Sequence, residues 1–257
     1  MRVAALSSGS AGNCFYIEEN ENSILIDAGI NAKKINERLS KLKLDAEKIK
    51  GIFITHEHID HIRGVDVFAR QFNIPIYATK GTINSGFLCS NEKLIHQIKK
   101  DETIKIAGME VETFPKFHKA SEPVSYSISN NDKTVSVITD LGYSCKNVNT
   151  AIAKSNFLFL ESNHDLEMLK NGPYPYFLKN WISGDSGHLS NKQASLSVLE
   201  YANSRLNNVI LSHLSSINNS PKVALATFKD LLRERKDFNA KISVSLEDSP
   251  TSLFKVV

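Results

Sequence analysis

With 257 residues, 41% of them hydrophobic and 23% charged, the chain has material for a large layered core, as one big domain or two small ones. A net charge of +3 is only mildly basic, so it neither demands nor excludes a nucleic-acid partner. No window approaches the ~18 apolar residues of a membrane-spanning helix, and no membrane partner is expected.

The three cysteines, Cys14, Cys89 and Cys145, are odd in number and widely spaced. That usage fits a reducing, cytoplasmic setting. The start, MRVAALSSGSAGN, holds one Arg and a short apolar stretch broken by serines and glycines, and is not expected to be a signal peptide. No internal repeat, low-complexity tract or Pro/Gly/Ser-rich linker marks a domain boundary.

In chain order, VAAL (3–6) reads as a strand, SSGSAGN (7–13) as a glycine turn, and CFYIEE (14–19) and SILIDAG (23–29) as strands. The stretch 31–42 carries Ile35, Leu39 and Leu42 at helical spacing, with lysines on the outer face. IKGIFIT (49–55) is a continuous run rich in β-branched residues, as in a strand buried on both faces. A helix is expected over 64–72 and strands over 73–79, 108–117, 124–129 and 133–140. Residues 156–162, 208–213 and 240–247 read as further strands, and 191–204 and 220–235 as helices. His96, in KLIHQIKK, reads as a solvated helical residue. Strands that precede and alternate with helices point to an α/β layered domain with mixed sheets.

One stretch carries chemistry. The strand 49–55 delivers His56 to its C-terminal end, and the following loop holds His58, Asp60 and His61 before a helix expected to start near Arg63. His56 and His58 can point the same way, while a turn aims Asp60 and His61 at a neighbouring point. Imidazole and carboxylate suit zinc, and also manganese or iron. A metal needs more ligands than this loop supplies. Three later strands end on candidates: His118, Asp140 and His213. Each alone is an ordinary loop residue, and their shared position gives the set its weight.

Asp27 in LIDAG, the 56–61 cluster, His118, Asp140 and His213 resemble, in order and over nearly the full length, the five motifs of the metallo-β-lactamase fold superfamily. Within it, LSSGSAGNC, THEHIDHIRG, ESNHD and the NGPYP and GHLSN segments resemble the YycJ/WalJ-type branch, regarded as nucleases that digest double-stranded DNA from 5′ to 3′. The resemblance implies an α/β (α+β) fold: a four-layer αββα sandwich, two mixed sheets flanked by helices, with metals at one edge of the sheets. It implies that His56, His58 and His118 hold one divalent ion. Asp60, His61 and His213 would hold a second, Asp140 would bridge the two, and Asp27 would orient the histidine loop. The stretches between His61 and His118 and between Asp140 and His213 leave no room for the β-CASP cap. Residues 1–257 are therefore expected to form a single domain with an open cleft.

Two divalent ions set against Asp60, Asp140 and a bridging hydroxide leave a formal charge of about +1, which favours an anionic substrate and transition state. A metal pair ~3.5–4 Å apart provides a hydroxide nucleophile at cellular pH, so Asp60 counts among the catalytic residues. The leaving alkoxide needs a proton. Glu161 ends the strand NFLFLE, and His188 lies in GDSGHLS. This pairing resembles one in the ribonuclease Z group, where an equivalent pair is assigned a proton-shuttling role. Imidazole suits that role, and an adjacent carboxylate fixes its tautomer.

Ser10 and Asn13 in the glycine turn are candidate phosphate contacts, although a tight turn between strands is the default reading. His164 in ESNHD is open between substrate contact, extra ligand and local loop bond. The leading expectation is a metal-dependent nuclease or phosphodiesterase acting on DNA. The alternatives are a small-molecule hydrolase of the same fold, such as a glyoxalase II-like thioesterase or a lactonase, and a non-catalytic metal- or DNA-binding protein. A flavodiiron-type oxidoreductase is disfavoured: His58 stands where that group commonly has a carboxylate, and no flavin domain follows.

Overall fold

The computed structural model describes residues 1–257. Its first half builds one sheet. Strands β1 (Arg2–Ser7), β2 (Cys14–Glu19) and β3 (Asn22–Ile26) form an antiparallel meander. Helix α1 (Ala32–Lys41) then crosses over to β4 (Ile49–Phe53), which runs parallel to β3. One-turn α2 (Ile59–Ile62) and α3 (Val65–Phe72) lead to β5 (Ile76–Thr79), and α4 (Lys80–Ser85) to β6 (Ile95–Ile98).

The second half repeats the plan. An antiparallel run of β7 (Thr103–Ile106), β8 (Met109–Pro115), β9 (Val124–Ser129) and β10 (Thr134–Ile138) comes first. Helix α5 (Lys146–Lys154) connects to β11 (Phe157–Glu161). The helices α6 (Leu166–Asn171), α7 (Tyr176–Ile182) and α8 (Asn191–Tyr201) precede β12 (Asn208–Ser212), and α9 (Pro221–Leu232) precedes β13 (Lys241–Val244). Strands β10 to β13 run parallel. Finally β14 (Phe254–Lys255) returns to pair with β1. The sheet orders are β14-β1-β2-β3-β4-β5-β6 and β13-β12-β11-β10-β9-β8-β7.

Alternation along the strands sets the layers. Ile24 and Ile26 point into a core shared with Phe157 and Phe159, between the sheets. Leu25 points to the other face, where Ile35 and Leu39 of α1 and Phe68 of α3 cover the first sheet. Leu158 and Leu160 likewise meet Val148 of α5, Val198 of α8 and Phe228 of α9. Two mixed sheets flanked by helices are thus the four layers expected. Side-chain caps fix the helix starts: Asn31 accepts from Lys34 N, Ser220 from Val223 N with Pro221 next, and Ser190 and Gln193 form a reciprocal capping box.

Two elements depart from the sequence expectation. His96 lies in edge strand β6, exposed and stacked on Tyr77 at 5.4 Å, not in a helix. Its KLIHQIKK context has helical spacing, but pairing with β5 overrides that local preference. The helix expected near Arg63 is α3, which starts at Val65; a separate one-turn helix, α2, precedes it, so Asp60 and His61 sit in a helical turn and not in a loop.

Candidate metal centre

The predicted metal ligands, with Asp27 and Glu161, gather at or just beyond the C-terminal ends of strands. Asp27 follows β3, and His56 and His58 follow β4. His118, Asp140 and His213 follow β8, β10 and β12, and Glu161 ends β11. The chain must swerve sharply there. Asp27, Asp140 and His213 do so in the left-handed region, at φ 60°, 56° and 54°. Non-glycine residues rarely adopt that conformation, and it collects at functional sites.

The side chains converge in three groups, two of them overlapping; one is Asp140, Glu161, His188 and His213. His56, His58 and His118 bring ring nitrogens together, and so do Asp60, His61, Asp140 and His213 with their nitrogens and carboxylate oxygens. His56 Nε2 lies 3.0 Å from His58 Nδ1, and His118 Nε2 lies 3.4 Å from the same atom. Asp140 stands between the groups. Its Oδ2 is 3.1 Å from His61 Nε2 and 2.9 Å from His213 Nδ1, and its Oδ1 is 3.9 Å from His118 Nε2.

Outer contacts set the tautomers. His61 Nδ1 donates to Asp27 Oδ2 at 2.7 Å, and His118 Nδ1 donates to Gly187 O at 3.1 Å. His56 Nδ1 donates to Thr55 Oγ1 at 2.9 Å; that hydroxyl donates onward to Asp27 Oδ2. The Nε2 atoms of all three are thereby left facing the centre. Thr55 was missed in the sequence, although it directly precedes His56. Lys116 was missed as well: it is buried and donates from Nζ to Thr139 O at 2.6 Å, beside Asp140. A lysine two residues before a ligand carries no pattern that reveals this.

A cation fits this donor set. Asp140 Oδ2 is buried and accepts no well-directed hydrogen bond, despite its two imidazole neighbours. An orphaned carboxylate oxygen among ring nitrogens is costly without a metal and natural with one.

Glu161 and His188 also meet, with His188 Nδ1 2.8 Å from Glu161 Oε1. Glu161 is wholly buried, and its Oε2 accepts from Leu141 N and Leu189 N. It therefore ties the Asp140 loop to the His188 loop. His188 lies 3.8 Å from Asp140 Oδ1.

The three candidate substrate contacts fare differently. Ser10 is exposed at its turn, with no hydrogen bond to the clustered residues. Asn13 is buried, and its Nδ2 lies 3.3 Å from His61 Nε2, 3.4 Å from His213 Nδ1 and 3.4 Å from Asp60 Oδ2. His164 is buried with neither ring nitrogen bonded.

A family model described as "Beta-lactamase superfamily domain" matches residues 22–213, the span from β3 to His213. The chain belongs to the metallo-β-lactamase superfamily. It is 34% identical over 240 residues to Exodeoxyribonuclease YycJ of Bacillus anthracis, covering 91% of this chain and 90% of the relative. It is 33% identical to Exodeoxyribonuclease WalJ of Streptococcus pneumoniae, covering 91% and 88%. The solved metallo-β-lactamase fold protein YhfI of Bacillus subtilis superposes with a TM-score of 0.71 at 14% identity, covering 97% and 98%.

The superfamily cluster is electrostatically prepared for positive charge. Burial alone would raise Asp140, yet His213 and His61 hold it well below the usual carboxylate range. Burial opposes protonation of His213, but Asp140 raises it to about 9; Asp140, Asp60 and Asp27 likewise hold His61 well above the usual histidine range. His56 and His118, by contrast, are depressed by burial, His118 to about 4. Neutral imidazoles on one side and an ionised aspartate shared with the other are what two cations would need.

Proposed function

We propose that this chain is a metal-dependent nuclease that hydrolyses phosphodiester bonds of DNA. The observation that carries the reading is Asp140, whose two oxygens reach toward His118 on one side and toward His61 and His213 on the other. On this reading His56, His58 and His118 would hold one divalent ion, Asp60, His61 and His213 a second, and Asp140 would serve both. Zinc, manganese and iron all suit these ligands. When bound, two such ions lower the pKa of a water nucleophile and withdraw charge from a phosphoryl oxygen.

The protein's own groups do the rest. Asp27, Thr55 and the Gly187 carbonyl hold the imidazoles in one tautomer. Glu161 anchors His188 through Nδ1, which leaves Nε2 to hand a proton to the departing alkoxide. Glu161 acts by positioning, since it is wholly buried. The names of the two relatives, both exodeoxyribonucleases, support DNA as the polymer. We read residues 1–257 as one domain without a β-CASP cap. The three free cysteines fit a cytoplasmic setting, and no helix is long and apolar enough to cross a membrane.

The test is a direct comparison of 5′-phosphorylated duplex DNA, bis-p-nitrophenyl phosphate and a glutathione thioester. Cleavage of the phosphodiesters is expected. Cleavage of the thioester alone would replace this reading with a small-molecule hydrolase of the same superfamily.

A further inference from the structure

The proposed ligands account for the inner side of the loop after β8 and leave its outer side unexplained. Exposure alternates along this loop. Lys116 and His118 are buried, whereas Phe117 is 53% exposed and Lys119 is exposed. The inward side chains pin the loop, Lys116 on Thr139 O and His118 on Gly187 O. Lys119 N donates to Ser186 O at 3.2 Å, which fixes the next residue too.

Phe117 does not lie loose. Its ring stacks on Tyr143, with centroids 4.7 Å apart and planes 26° from parallel. Tyr143 comes from the loop that carries Asp140, and Gly142 N donates to Phe117 O at 2.9 Å. Gly142 is itself clamped: a Cβ there would lie 2.0 Å from Asp185 O. Two rigid loops, each bearing a member of the metal cluster, thus hold one aromatic ring against another in water. A large exposed ring held against a second ring, one residue from a member of the metal cluster, offers a flat apolar face to a ligand.

We propose that Phe117, backed by Tyr143, is a stacking platform for a nucleobase of the substrate strand, with Lys119 taking a neighbouring phosphate. This rests on the nuclease reading above. Every base presents a π-face, so such a platform binds without demanding sequence, and a cation beside it follows the backbone. Lys119 forms no salt bridge within the chain, which leaves its charge for a phosphate.

The test is steady-state kinetics on paired DNA substrates that carry either normal or abasic residues next to the cleaved bond. For the metal-loaded wild type, KM should be lower with the base present, by on the order of tenfold. Phe117→Leu should abolish that difference by raising KM for the base-bearing substrate, and Phe117→Trp should retain it. If Phe117→Leu shifts both substrates equally, or neither, the platform is overturned while the nuclease reading stands. If the wild type cleaves neither substrate, the nuclease reading fails and takes the platform with it.

Discussion

His61 Nδ1 lies 2.7 Å from Asp27 Oδ2, with both side chains wholly sealed from water. Asp27 also accepts from Thr55 N and Thr55 Oγ1, so one buried carboxylate fixes the rings of His61 and, through the hydroxyl, His56. Asp27→Asn replaces an acceptor with an amide that can satisfy only some of these donors. Metal affinity should fall about 10–100-fold with the fold retained. Competition against a chromogenic chelator measures it, and wild-type affinity would show that Asp27 does not orient the ligands.

His188 is partly exposed and Glu161 is wholly buried. His188→Ala should lower kcat for phosphodiester cleavage by about 10²–10⁴-fold, with metal content unchanged. Glu161→Gln should cost less, because the amide still offers an oxygen to His188 Nδ1. Loss of metal in His188→Ala would move that residue from the proton step to the ligand set.

Gly29 sits against the helical turn that supplies Asp60. A Cβ there would lie 1.6 Å from Asp60 O, and Gly29 N already donates to Asn13 O. Backbone cannot yield as a side-chain tip can. Gly29→Ala should destabilise the protein by about 1–3 kcal/mol or more and displace Asp60 and His61. Denaturant melts together with metal titration check this; an unaltered midpoint and unaltered metal affinity would contradict it.

Burial depresses His164 to about 4 from an ordinary 6.5, and neither ring nitrogen has a partner. Between those values the unfolded chain binds a proton that the folded chain refuses, so stability rises with pH. It should therefore be intact above pH 6.5 and fall as pH drops toward 4, by about 3 kcal/mol at most from this residue. His118, also held to about 4, acts in the same direction. Metal-free His164→Gln should show a flatter pH profile than metal-free wild type over this window. An equally steep profile would remove His164 from the account.

The ligands were legible because metal chemistry compresses them into short motifs and places them where strands end. His56 to His61 stand within six residues, and His118, Asp140 and His213 each follow a β-branched or aromatic run. The layers were legible for a similar reason, since Phe157 and Phe159 alternate with Leu158 and Leu160. What escaped depends on contacts distant in sequence. Edge strand β6 forms only because β5 offers it a partner, and the two-residue β14 only because β1 does. Asn13 resembles a loop residue open to phosphate until the fold buries it against His61 and His213. The short α6 and α7, divided by GPYP, carry too few turns to show a period.

The most direct measurement is the metal content of chelator-free protein, wild type and Asp140→Ala, with phosphodiester cleavage assayed on the same samples. The shared carboxylate predicts two divalent ions per wild-type chain with cleavage, and at most one ion without cleavage in the variant. A wild type that cleaves DNA with a single ion, or an Asp140→Ala protein that keeps both ions and its activity, would contradict it.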